Sequence, residues 1–276
     1  MKGFTILSTA LFAVIALAVP NPDGGLARRV ARRAAARATR TSTPINILGT
    51  ADIVDGDNVT HVQYSSNWAG AVLTAPPAGE TFNAVSGQFT VPNPSAPSGG
   101  GGGDYSAAIW VGIDGDTYSN AIWQSGIDVT ISNGQVSYDA WYEWYPINAV
   151  DIPNFSISSG DVISVSITSS SDSEGSVVLE NISTGQSVTQ SASAPSSNAV
   201  LAGQNAEWIV EDYDAGGSQV SFADFGTVLF TNAVAGTSSQ IVGTSGATII
   251  ELKNSNGKVL TDVTVPSSSE VSIMYE

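Results

Sequence analysis

The segment Tyr138-Asp-Ala-Trp-Tyr-Glu-Trp-Tyr-Pro146 sets two carboxylates among five aromatic rings. Read as a strand, it places Asp139, Trp141, Glu143 and Tyr145 on one face and Tyr138, Ala140, Tyr142 and Trp144 on the other. The second face is mostly large and apolar and reads as core. The first mixes acids with flat rings, which suits a ligand cleft; an aromatic cross-strand ladder with solvated acids gives the same pattern. In Ala121-Ile-Trp-Gln-Ser-Gly-Ile-Asp128 the same alternation groups Ile122, Gln124, Gly126 and Asp128. In Ala206-Glu-Trp-Ile-Val-Glu-Asp-Tyr213 it groups Glu207, Ile209, Glu211 and Tyr213. Periodicity alone singles out neither Gln124 nor Glu211.

Composition narrows the chemistry these residues could perform. The chain has no cysteine and one histidine, His61. Thiol nucleophiles, Cys-ligated zinc, a Ser-His-Asp triad and an HExxH zinc site are therefore excluded from the main body of the chain. No metal and no cofactor is expected. Acid–base catalysis, if there is any, falls to carboxylates.

The elements that must position these groups read as strands. Short alternations recur with turn residues between them, as in Gly87–Val91, Asp161–Ile167, Ser176–Glu180 and Thr248–Leu252. Many such runs predict an all-β fold, an antiparallel two-sheet sandwich. Pro92 to Gly103, with five consecutive glycines, reads as a loop. Asn58, Asn154 and Asn181 begin glycosylation sequons.

The amino-terminal part differs in kind. Lys2, the apolar run Phe4–Val19 and the small residues Ala16-Leu17-Ala18 predict a signal peptide over 1–18 and a secreted product. That run is too short for a spanning helix, which needs about 20 residues. All six arginines lie between 28 and 40, whereas beyond Asn58 there are two lysines against 21 carboxylates, a net charge of −19. So many like charges on one domain repel at neutral pH and are neutralised in acid. The division predicts a basic propeptide over 19–60 and a catalytic domain over 61–276. A basic tail could also bind nucleic acid, but the secretory route keeps it from meeting any. Neither a nucleic-acid partner nor a membrane is expected, and the domain is read as a monomer.

A series of longer strings carries a family resemblance: Ser66-Asn-Trp-Ala-Gly70, Trp110–Asp116, Ile122-Trp-Gln-Ser-Gly126, Tyr138–Pro146, Leu179–Gln186 and Asn205–Asp212. Their order is similar to that of the fungal glutamic peptidases, the eqolisins, from about Tyr64 onward. The resemblance implies a concanavalin-like jelly roll and a secreted acid endopeptidase made as a zymogen. It implies Gln124 and Glu211 as the catalytic dyad, and a substrate cleft at Trp68, Trp110, Asp114, Asp139, Trp141, Glu143 and Tyr145. Polypeptides would be the substrates, with an activated water as nucleophile. The propeptide would inhibit in cis, its arginines facing Asp114, Asp139 and Glu143 until these lose charge at about pH 3 to 5. The dibasic pairs Arg28-Arg29 and Arg32-Arg33 would alternatively serve as processing sites. The rival reading is a jelly-roll glycosidase using Glu143 with Glu211; a carbohydrate-binding module would need neither.

Overall fold

The computed structural model describes residue 35 and residues 37–55 and 58–276. The expected signal peptide and Arg28, Arg29, Arg32 and Arg33 lie outside them. Residues 36–276 form one unit, which holds both sheets and the site.

Two large sheets build it. The first runs, in spatial order, β1 (Ile47–Asp55), β2 (Asn58–Ser65), β17 (Thr248–Leu252), β3 (Trp68–Leu73), β12 (Ala206–Glu211), β5 (Asp104–Ile113), β6 (Ile122–Ser132), β7 (Gln135–Tyr145) and β8 (Val150–Asp151). The second runs β11 (Gln186–Ser193), β10 (Glu174–Asn181), β9 (Val162–Ser171), β4 (Ala84–Thr90), β15 (Thr227–Gly236), β19 (Glu270–Tyr275) and β18 (Thr261–Ser267), with β16 (Ile241–Gly243) on β15. β13 (Asp214–Ala215) and β14 (Ser218–Gln219) make a small hairpin. The sandwich expected from the alternation is therefore present, with one departure. β17 enters between β2 and β3, which run opposite ways, so it must be parallel to one of them; it is parallel to β2.

Burial patterns follow from the layering. β4 alternates, with Val85 and Phe89 inward and one face toward solvent. β3 and β12 are buried at every position, because both their faces are covered. Between the sheets lies a core that includes Ile109, Trp123, Val165, Leu179, Trp208 and Phe230. On the far face of the first sheet a second apolar cluster gathers Trp68, Trp110, Ile122, Trp141, Ile209 and Tyr213. The segment Tyr138–Pro146 divides as its alternation predicts: Ala140 and Trp144 enter the core, while Trp141 joins the second cluster.

Two sequence expectations meet the fold directly. Asn181 of the third sequon is fully buried, and its Nδ2 donates to Ser156 O and Asp161 Oδ2. It is a structural residue, whereas Asn154 is exposed. Within the expected propeptide, residues 47–55 are β1, which pairs with β2 from Ile47↔Ser65 to Asp55↔Asn58. The basic segment thus joins the domain through a strand at the edge of its first sheet.

Candidate active site

Four strands in register define the site. On the face away from the core, β12, β5, β6 and β7 line up as Glu207–Gly112–Gln124–Glu143, then Ile209–Trp110–Gly126–Trp141, then Glu211–Ala108–Asp128–Asp139. Trp68 of β3 stands opposite Glu211. Glycine at 126 is obligatory: a Cβ there would lie 2.0 Å from Ile109 O and 2.7 Å from Trp110 Cα. Carboxylates, one amide and three indoles are held on one wall by backbone pairing alone.

The chain's own residues 37–46 lie along this wall. Arg40 is 3% exposed, and its guanidinium stacks 3.6 Å from the Trp141 ring centroid. Arg40 Nε and Nη2 donate to the two oxygens of Asp128 at 3.2 and 3.1 Å, and Nη1 donates to Glu143 Oε2 at 2.9 Å. Tyr213 packs beside the same guanidinium at 4.7 Å. Arg37 reaches Asp139 at 2.8 Å and Asp151 at 2.9 Å. Thr41 exchanges backbone hydrogen bonds with Asp214, and Thr41 Oγ1 and Ser42 N donate to Glu143.

One peptide unit of this segment lies between Gln124 and Glu211. Gln124 Nε2 donates to Ser42 O at 3.4 Å, and Thr43 N donates to Glu211 Oε1 at 3.2 Å. The other oxygen of Glu211 accepts from Trp110 Nε1 at 2.9 Å. Beyond this unit, Thr43 O accepts from Trp68 Nε1, Pro44 O accepts from Asn67 Nδ2, and Ile45 N donates to Gly115 O. Gln124 Oε1 is buried and has no hydrogen-bond partner among the described residues.

Burial governs the electrostatics. It raises Glu211 to about 7 and Glu143 to about 8, against the opposing pull of the Arg40 charge and of the hydrogen bonds both carboxyls accept. Asp128 is raised for the same first reason and pulled down by Arg40. Close ion pairs and raised values are compatible here, because a single guanidinium serves several carboxyls. Arginine keeps its proton, and its charge pulls Asp128, Glu143 and Glu211 down against the effect of burial.

The sequence-predicted residues divide accordingly. Gln124, Glu211, Trp68, Trp110, Asp139, Trp141 and Glu143 all touch the segment or one another, and Tyr145 packs at the end of the apolar cluster. Asp114 stands apart. Fully buried, its oxygens accept from the backbone N–H groups of Ala202, Gly203, Gln204 and Asn205, so its carboxylate shapes the loop before β12 rather than meeting an arginine. Asp128, Tyr213 and Asn67 are the residues that sequence reasoning passed over. Alternation already places Asp128 with Gln124 and Tyr213 with Glu211; what it lacks is the buried cation that joins them.

A carboxylate and an amide aimed at opposite ends of one peptide unit, on the outer face of the first sheet, are placed to act on an amide bond. The sequence profile of the peptidase A4 family matches residues 66–275, and the chain belongs to that family. It is 45% identical to aspergillopepsin-2 of Aspergillus niger over the whole of both chains. It is 38% identical to scytalidopepsin B of Scytalidium lignicola, over 98% of this chain and 97% of the other. The crystal structure of scytalido-glutamic peptidase with a transition state analog inhibitor superposes with a TM-score of 0.67 at 38% identity, covering 76% of this chain and 98% of that one. That of aspergilloglutamic peptidase from Aspergillus niger gives 0.59 at 49% identity, covering 62% and 99%. The protein is a glutamic-type acid endopeptidase, and the glycosidase reading falls.

Proposed function

We propose that Gln124 and Glu211 are the family's catalytic pair in this chain, and that residues 37–46 are an inhibitory prosegment lying in the substrate cleft. The observation that carries both is the placement of the Ser42–Thr43 peptide unit: its carbonyl oxygen faces the Gln124 amide and its N–H faces the Glu211 carboxylate. A substrate bound in the same way needs only a water to react. With the segment gone, water reaches Glu211 and relieves the burial that raises it, and as carboxylate it takes the proton of the attacking water and returns it to the departing nitrogen. Gln124 Nε2 donates to the oxyanion, and Gln124 Oε1, with no partner among the described residues, is an acceptor for the water. Trp110 Nε1 fixes the Glu211 carboxylate. An amide donor stays uncharged at every pH, which suits an enzyme working in acid.

The rest of the reading follows from charge. Arg40 faces Asp128, Glu143, Glu211 and Tyr213, and Arg37 faces Asp139 and Asp151. Protonation of these carboxyls weakens the hold of the segment. Supporting its removal, the family profile begins at residue 66, and the solved scytalido-glutamic peptidase chain is matched almost entirely by about three quarters of this one. With the leader read from residues 1–18, the product is secreted and acts on polypeptides outside the cell as a monomer. No helix among the described residues is long and apolar enough to cross a membrane.

The deciding experiment uses mature enzyme and acid-denatured protein. Glu211→Gln and Gln124→Ala should each lower turnover by about a hundred- to a thousandfold, the usual cost of losing an oxyanion donor or its equal, with the circular-dichroism spectrum unchanged. Near-normal turnover in either variant would remove it from the dyad.

A further inference from the structure

We infer that the Ser42–Thr43 bond is the first bond this enzyme cuts, that the cut is made within the same chain, and that the new amino terminus stays in the cleft. The inference rests on the dyad assignment above and deepens it.

An inhibitory segment can block a cleft by running through it in a direction or register that keeps every peptide bond away from the catalytic groups. This one does the opposite. Gln124 Nε2 meets the carbonyl oxygen of residue 42 and Glu211 Oε1 meets the nitrogen of residue 43, the two ends of one bond. Contacts on both sides fix that register. On the amino-terminal side Arg40 is locked between Trp141, Asp128 and Glu143, its carbonyl accepts from Ala149 N, and Thr41 pairs with Asp214. On the other side Trp68 and Asn67 hold the carbonyls of Thr43 and Pro44, and Gly115 O accepts from Ile45 N. A slip of one residue would break all of them at once.

The reaction consumes one water. Its oxygen bonds to the Ser42 carbonyl carbon, and its proton passes to Glu211. The C–N bond breaks and the electron pair goes to Thr43 nitrogen, which takes the proton back from Glu211. The products are a Ser42 carboxyl group and a Thr43 amine.

The two products are held differently. Residues up to Ser42 lose their covalent link to the domain and keep only the arginine pairs and a few hydrogen bonds. Residues from Thr43 onward stay attached through β1, which pairs with β2 along its length. Their amino terminus remains beside Glu211 and Trp68. Cleavage at this bond therefore opens one half of the cleft and leaves the other half occupied until β1 is detached by a second cut.

The test is a time course. Proenzyme purified at pH 8 is brought to a series of pH values between 7 and 4, which starts where Glu211 in the occupied cleft is still partly ionised, and is followed by intact mass and amino-terminal sequencing at several protein concentrations, with digestion of an added denatured protein measured alongside. A chain beginning at Thr43 should appear first, at a rate independent of concentration, before digestion of the added protein reaches its plateau. Thr43→Pro, which removes the N–H facing Glu211, should lose this species, while Thr43→Ala should still form it. A first cut elsewhere, a rate proportional to concentration, or loss of the species in Thr43→Ala as well would overturn the inference. Failure of the dyad assignment has a different signature: Glu211→Gln proenzyme would still cut itself and the added protein.

Discussion

At the scale of single residues, Arg40 carries the most consequence. Its guanidinium is flat, stacks on Trp141, and meets Asp128 through two parallel hydrogen bonds while a third nitrogen reaches Glu143. Lysine offers one compact charge and cannot reproduce this geometry. A synthetic peptide of residues 21–55 added to mature enzyme should inhibit near neutral pH. Replacing Arg40 by Ala in that peptide should weaken binding by roughly 2–5 kcal/mol, the usual loss when one partner of a buried charge pair is removed, and Arg40→Lys should recover only part of it. Arg37 is exposed, so Arg37→Ala should cost no more than about 1 kcal/mol. Inhibition constants that rank Arg37 above Arg40 would contradict the burial argument. Acid should weaken the peptide's hold as the carboxyls that face Arg40 take up protons, because the Arg40 charge is the interaction that pulls Glu143 and Asp128 down within the complex. Little of this is legible in the sequence. Asp139 and Glu143 are expected contacts there, but so is Asp114, whose oxygens are engaged by four backbone amides. Nothing in strand periodicity distinguishes a carboxylate facing a cleft from one folded back under a loop.

At the scale of elements, the legible part is the alternation. It separates Asp139, Trp141 and Glu143 from Ala140 and Trp144, and it groups Gln124 with Asp128 and Glu211 with Tyr213. These are the faces that the register of β12, β5, β6 and β7 brings onto one wall. Order across the sheet is not legible, since β12 lies between β3 and β5 through pairings distant in sequence. The same pairings predict how the molecule tolerates breaks. The loop 92–103 joins β4, held between β9 and β15, to β5, held between β12 and β6. Its glycines are exposed and costly to order. Limited proteolysis within 98–103 should give a two-chain enzyme of unchanged activity, and activity lost in step with nicking would count against it. Gly70 behaves oppositely. Its φ is +150°, and a Cβ would sit 2.1 Å from Trp208 O, inside the β3–β12 pairing that carries Glu211. Gly70→Ala should cost about 3 kcal/mol or more by forcing these backbones apart, read as a lowered urea midpoint.

At the scale of the whole molecule, buried carboxyls set the pH range in which the fold survives. Glu207 is fully buried, both its oxygens lack partners among the described residues, and burial, then the charges of Asp114 and Asp116, push its pKa well up. Burial likewise raises Asp212 to about 8 and Glu251 to about 7. In each case the folded state holds a proton that the unfolded chain has released above about pH 4 to 4.5. The unfolded state then binds fewer protons than the native one, so stability falls as pH rises through this interval and levels off only above the folded values. Repulsion among the 21 carboxylates beyond Asn58, opposed by two lysines, acts in the same direction. Folding free energy should therefore be greatest near pH 4 and decline toward pH 8, with a fall in melting temperature on the order of 10 °C if a few kilocalories are lost. Glu207→Gln isolates one contribution. The amide has nearly the same shape and no charge at any pH, so the variant should lose less stability than the parent between these two pH values. Melting curves of both proteins across the range decide it: parallel profiles would mean that Glu207 does not set the acid preference, whereas a flatter profile for Glu207→Gln would place part of it on this one carboxyl of the catalytic wall.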